Sequence, residues 1–90
     1  MEKINVKKDT FIFREGDAGD AAYVVETGSV AIVKTVEGTE MRLATVGHGG
    51  LFGEMAILDG SPRMASAQAL EDSTLVVVPR LTLEAKLQKS

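Results

Sequence analysis

Ninety residues with a mass of 9.6 kDa can hide only roughly 63% of their open-chain surface on folding, enough for one modest core, so residues 1–90 are expected to form a single domain. The absence of cysteine excludes disulfides, thiolate metal sites and cysteine nucleophiles, and a net charge of −3 with a pI near 5.0 lacks the basic footprint of a nucleic-acid binder. No apolar run approaches the ~20 residues of a membrane span and residues 1–8 hold no apolar signal segment, so a cytoplasmic setting is expected.

Nine glycines against two prolines predict tight turns between extended segments. Strands are predicted at Lys3–Val6 and at residues 10–14, followed by a loop, Glu15-Gly-Asp-Ala-Gly-Asp20, dense in turn formers. Residues 21–26 carry β-favouring Tyr23, Val24 and Val25. Thr27-Gly28 turns into a valine- and isoleucine-rich strand at 29–35, and Val36-Glu-Gly-Thr39 reads as a hairpin turn. Residues 40–46 alternate, with Glu40 and Arg42 expected outward and Met41 and Leu43 inward. Gly47-His-Gly-Gly50 breaks regular structure. Residues 53–58 read as a short helix closed by Asp59-Gly60. Residues 64–70 return to strand alternation, with Ala65, Ala67 and Ala69 on one face, which implies a narrow interior. A last strand is predicted at 73–78. Thr82 is expected to cap a final helix carrying Leu83 and Leu87 on one face and running to Ser90. Six to eight short strands with glycine turns point to a mainly β fold, a sandwich or roll, rather than a doubly wound α/β sheet.

Catalytic readings lack parts. There is one histidine, His48, in a glycine loop, where a β-roll metal enzyme needs several ligands around one ion. The serines show no G-x-S-x-G elbow. The acid pairs Asp17/Asp20 and Glu71/Asp72 sit in turns, where carboxylates cap backbone donors. The glycines at 47, 49, 50 and 53 do not complete a dinucleotide loop, because Phe52 stands where the last glycine belongs. The chain is therefore expected not to be an enzyme and to hold no metal.

One stretch carries chemistry: Phe52-Gly-Glu-Met-Ala-Ile-Leu-Asp-Gly-Ser-Pro-Arg-Met-Ala65. Gly53 opens a short helix whose first-turn amides at Glu54, Met55 and Ala56 lack intrahelical partners, and together with the helix dipole they can seat an anion. Arg63, ten residues after Gly53, could close on the same anion with two parallel hydrogen bonds. Glu54 is an acid beside that seat, which suits a ligand carrying both a phosphate and a hydroxyl, such as a ribose phosphate. The competing reading makes Glu54 a first-turn acid ion-paired with Arg63.

These residues resemble the cyclic nucleotide-binding domain family. Phe52 to Ala65 is similar to that family's phosphate-binding cassette, F-G-E-x-A followed by P-R-x-A. Phe13-Arg-Glu-Gly-Asp-Ala-Gly-Asp20 with Tyr23-Val-Val-Glu-Thr-Gly-Ser-Val30 resembles its upstream strand–loop–strand. Gly47-His-Gly-Gly50 is similar to the turn before the cassette, and Ala69-Leu-Glu-Asp-Ser-Thr-Leu75 with Val78-Pro-Arg80 to its closing strand. The resemblance spans about residues 4–87. It implies an eight-stranded antiparallel β roll, or jelly roll, with short helices. It also implies a ligand-binding set of Phe52, Gly53, Glu54, Met55, Ala56, Arg63, Met64 and Ala65. In that set Gly53 approaches the ribose and Glu54 accepts from its 2′-hydroxyl. The Ala56 amide and Arg63 hold the cyclic phosphate, and Ala65 keeps the floor small. At position 64 a hydroxyl is associated in the family with guanine; Met64 has none, which favours cAMP over cGMP. The family's base-covering lid helix is expected to be truncated or supplied from elsewhere. The implied role is a regulatory sensor acting on an effector outside this chain through the C-terminal helix. The alternative is a β-roll interaction module with an empty pocket.

Overall fold

A computed structural model describes residues 1–88. Its elements run β1 (Lys3–Val6), β2 (Phe11–Phe13), β3 (Ala21–Thr27), β4 (Val30–Val36), β5 (Thr39–Val46), β6 (Leu51–Phe52), α1 (Glu54–Asp59), β7 (Ser66–Ala69), β8 (Ser73–Pro79) and α2 (Arg80–Gln88). Among the described residues the strands form two antiparallel four-stranded sheets, ordered β1-β8-β3-β6 and β2-β7-β4-β5. The glycine-punctuated strands predicted a mainly β sandwich or roll, and eight strands in two sheets agree with the β roll that the family resemblance implies. Ser90, where the final helix was expected to end, lies outside the described residues. Among the described residues no helix is long and apolar enough to cross a membrane.

The inner faces of the two sheets meet on Val25, Val30, Phe52, Ala67 and Leu75. The alanine face of β7 points inward as predicted, with Ala65, Ala67 and Ala69 all buried, so the two sheets approach closely along that strand. A second cluster joins Ala22, Ile57, Val78 and Leu83. It fastens α1 and α2 to the outer side of β3 and β8, and thereby fixes where α1 starts relative to the sheet.

Two expectations are corrected. Met41 and Leu43 are 49% and 57% exposed, because β5 is the outer strand of its sheet and pairs only with β4. The alternation also breaks there: Ile32 pairs with Ala44 and Val33 with Arg42, leaving Leu43 bulged out of the ladder. Thr82 does not cap α2, which begins at Arg80 directly after Pro79. Pro79 still pairs opposite Ala21, so the chain passes from ladder to helix with no intervening residue for a cap. Leu83 and Leu87 do share one face of α2, four residues apart; Leu83 is buried there and Leu87 half-exposed. The two-residue strand β6 lies opposite Tyr23 and Val24, in a segment whose sequence shows no alternation.

Candidate functional site

The site forms where β6 runs straight into α1. Gly53 makes this turn in the left-handed region, with φ 79° and ψ 8°, a conformation that costs glycine little. A Cβ there would sit 2.9 Å from Arg63 Nη1 and 3.0 Å from Phe13 Cε2. Glycine is therefore required both by the backbone angle and by the guanidinium packed against it. No side chain caps the N-terminus of α1, so its first-turn amides retain unused donor capacity.

Arg63 reaches this turn from the segment before β7. Its own backbone is held by the 14–17 loop: Arg63 N donates to Asp17 O at 2.8 Å, and Gly16 N donates to Arg63 O at 2.8 Å. The side chain is only 4% exposed. Nη1 donates to Gly53 O and Nη2 to Ala21 O, each at 2.6 Å, and the guanidinium lies 4.0 Å from the Phe13 ring centroid. Nε is buried without a hydrogen-bond partner. Among the described residues no carboxylate forms an ion pair with Arg63. The expected alternative, an ion pair between Glu54 and Arg63, is therefore not what the structure contains.

That arrangement is costly unless something else completes it. A guanidinium cannot shed its proton at any physiological pH. An unpaired buried charge costs several kcal/mol, and an unsatisfied buried donor costs about 1–3 kcal/mol. The two carbonyls and the Phe13 ring face stabilise the cation only in part, and among the described residues no counter-ion neutralises it. The fit is to an anion arriving at Arg63.

The backing of this seat is equally tight. Gly19, in the loop between β2 and β3, packs so closely that a Cβ there would lie 2.6 Å from Ala56 Cβ and 3.1 Å from Arg63 Cζ. Beneath it Phe52 stacks on Tyr23 at 5.4 Å and tilts against Phe13 at 6.1 Å, an aromatic floor that holds β6 in place.

In front of Arg63 opens a cavity of about 310 Å³. All eight sequence-predicted residues, Phe52, Gly53, Glu54, Met55, Ala56, Arg63, Met64 and Ala65, line it. They are not alike in exposure: Arg63, Ala56, Ala65 and Phe52 are buried, Gly53 and Glu54 half-buried, and Met55 and Met64 exposed at the mouth. The cavity also takes in residues that sequence reasoning did not assign, among them Phe13, Ile32, Lys34, Leu43 and Leu51. The polar groups are few (Lys34, Glu54 and Arg63), and the rest of the wall is apolar. Such a cavity suits a small, largely apolar body that carries one anionic group and a hydroxyl.

Lys34 was legible in principle. It stands two residues after Ile32 and four after Val30 on one strand face, a cation in an inward apolar series. Its Nζ donates to Met64 O at 2.7 Å and pairs with Glu15 Oε2 at 3.1 Å. That hydrogen bond holds the Glu15 carboxyl below its ordinary pKa. Lys34 thus ties the residue after Arg63 to β4. Among the described residues no group of three or more His, Asp or Glu side chains could hold a metal ion.

With the geometry in view, comparison with known proteins gives a consistent result. The family model described as "Cyclic nucleotide-binding domain" matches residues 3–90. The Cyclic AMP receptor protein of Thermus thermophilus is 47% identical over 70 residues, covering 77% of this chain and 32% of that protein. The cAMP-dependent protein kinase type II regulatory subunit of Drosophila melanogaster is 40% identical over 90 residues, covering the whole chain and 23% of the subunit. The chain therefore spans about a third or less of these curated relatives. Among solved structures, the EAL enzyme Bd1971 in its cAMP-bound form superposes with a TM-score of 0.92 at 40% identity, covering 99% of this chain and 24% of that one. Its cGMP-bound form gives 0.93. The Thermus thermophilus catabolite activator protein gives 0.89 at 38% identity, covering 98% of this chain and 42% of that one.

Proposed function

The chain belongs to the cyclic nucleotide-binding domain family, and on that premise we propose that its cavity binds a cyclic nucleotide, cAMP first and cGMP as the alternative, to regulate an effector outside residues 1–90. The observation that carries the reading is Arg63: a buried guanidinium with an orphan Nε and, among the described residues, no carboxylate partner, in the wall of a mostly apolar cavity. A cyclic phosphate supplies the missing charge while its purine occupies the apolar wall.

The roles follow from position. Arg63 and the Ala56 amide take the phosphate, since both border the Gly53 turn. Glu54 is half-buried and in no ion pair among the described residues, so its carboxylate is available to accept from the ribose 2′-hydroxyl. Gly53 lets the sugar approach the backbone. Ala65 keeps the floor shallow, Phe52 anchors β6, and Met55 and Met64 flank the base at the mouth. Relatives carrying this unit include a kinase regulatory subunit and an EAL enzyme solved with cAMP and with cGMP bound, which supports a regulatory rather than catalytic role for this unit. Leu83 of α2 and Ile57 of α1 belong to one apolar cluster with Ala22 and Val78, and α2 is the element through which an effector would sense occupancy.

The competing reading, an interaction module with an empty pocket, gives no reason to bury an unpaired guanidinium. Calorimetric titration with cAMP, cGMP and 5′-AMP separates the two. Saturable binding of a cyclic nucleotide, tighter than 5′-AMP, is expected. No saturation by either cyclic nucleotide at millimolar concentration would leave the interaction module as the better account.

A further inference from the structure

Arg80, the first residue of α2, lies outside the cavity wall, yet its side chain ends on the two backbone segments that build the anion seat. Nη1 donates to Ile57 O at 3.0 Å and Nη2 to Gly19 O at 3.2 Å. Ile57 belongs to the last turn of α1, and Gly19 is the residue pressed against both Ala56 and Arg63. We propose that Arg80 is a positioning residue for the nucleotide site, holding α1 and the Gly19 peptide in the geometry that presents Ala56 and Arg63 to the ligand. The inference rests on the reading of the cavity as a cyclic-nucleotide site.

The physical need is specific. α1 has six residues, far fewer than the ~12–15 at which an isolated helix becomes even marginal. Its last-turn carbonyls have no intrahelical donors, and Gly60 N satisfies only Ala56 O, at 3.1 Å. No basic residue of α1 itself stands in that last turn. Arg80 supplies both the donor and the positive charge that the C-terminal end of a helix favours, from a neighbouring element. Its planar fork reaches two carbonyls at once, which a lysine point charge cannot reproduce. Without it Ile57 O and Gly19 O lose their donor, α1 frays from its C-terminal end, and the peptide that backs Arg63 is no longer held against it. Leu83, one turn further along α2, keeps its own packing on Ala22, Ile57 and Val78, so the loss stays local.

The test pairs Arg80→Met, which retains the apolar stem, with Arg80→Lys. Calorimetry with cAMP and native-state amide exchange are read on the same proteins. Arg80→Met is expected to weaken cAMP by about tenfold or more, with Arg80→Lys in between. In the ligand-free protein, exchange should quicken at residues 57–60 while β3 and β8 keep wild-type protection. Affinity within twofold of wild type, or protection lost evenly through the strands, would overturn the proposal. If the wild-type protein binds no cyclic nucleotide, the functional reading fails instead, and selective loss at 57–60 still decides whether Arg80 holds α1.

Discussion

The proposed function gives each charged residue around the cavity a separate task, and substitutions should separate them. Glu54→Gln keeps the shape and one acceptor oxygen but removes the charge, so the ribose hydroxyl should be held less well, by about 1–2 kcal/mol. That penalty should nearly vanish for 2′-deoxy-cAMP, which has no hydroxyl to lose. Calorimetry with both nucleotides on both proteins reads the difference directly, and equal losses would remove Glu54 from the ribose. Lys34 and Glu15 form an exposed pair, with the Glu15 pKa lowered from 4.5 chiefly by the Lys34 hydrogen bond. A carboxyl whose folded pKa lies below its unfolded value contributes stability above that value, and loses it as pH falls through the folded pKa. The difference in melting temperature between wild type and Glu15→Gln should therefore hold at neutral pH and shrink as the pH drops below 4.5. A difference independent of pH would mean that the pair contributes through packing alone.

At the scale of elements, the turn from β6 into α1 is the most constrained point. Gly53→Ala forces a side chain into a left-handed backbone and against Arg63 and Phe13. A cost of about 1–3 kcal/mol is expected, visible as a lower urea midpoint with an unchanged slope. If Gly53→Ala left the midpoint untouched, the turn would have to relax at no cost, against the contacts described. How much of this was legible varies by element. α1 was read at residues 53–58 because Glu54 to Leu58 are good helix formers between two glycines. β6 was not read as a strand, since two residues opposite Tyr23 and Val24 carry no period of their own. Met41 and Leu43 were placed inward because alternation tells which residues share a face, not whether another sheet covers that face. The bulge at Leu43 leaves no trace in a single sequence. Thr82 looked like a cap by residue type, but Pro79 and Arg80 carry the chain into α2 earlier.

For the whole molecule, the cassette residues were legible because they lie within fourteen consecutive positions, Phe52 to Ala65. The remainder of the cavity was not, because Phe13, Ile32, Lys34 and Leu43 come from three strands of one sheet, β2, β4 and β5, and meet the cassette only when that sheet packs against the other. The same closure explains how a chain of net charge −3 can receive an anion: the positive charge is local, buried and unscreened, and the global field is weak at that distance. What the account needs above all is that Arg63 waits for a ligand phosphate rather than serving the fold. The decisive comparison is cAMP titration of wild type, Arg63→Lys and Arg63→Met by calorimetry, with the melting temperature of each empty protein recorded alongside. Arg63→Met should lose at least about 2–3 kcal/mol of cAMP binding, roughly 30- to 150-fold. Arg63→Lys should recover only part of that. The empty proteins should melt close to one another, since the substitutions give up two hydrogen bonds to carbonyls but also an uncompensated buried charge. Unchanged cAMP affinity in Arg63→Met, together with a large drop in the melting temperature of the empty protein, would contradict the account and make Arg63 a structural residue of the roll.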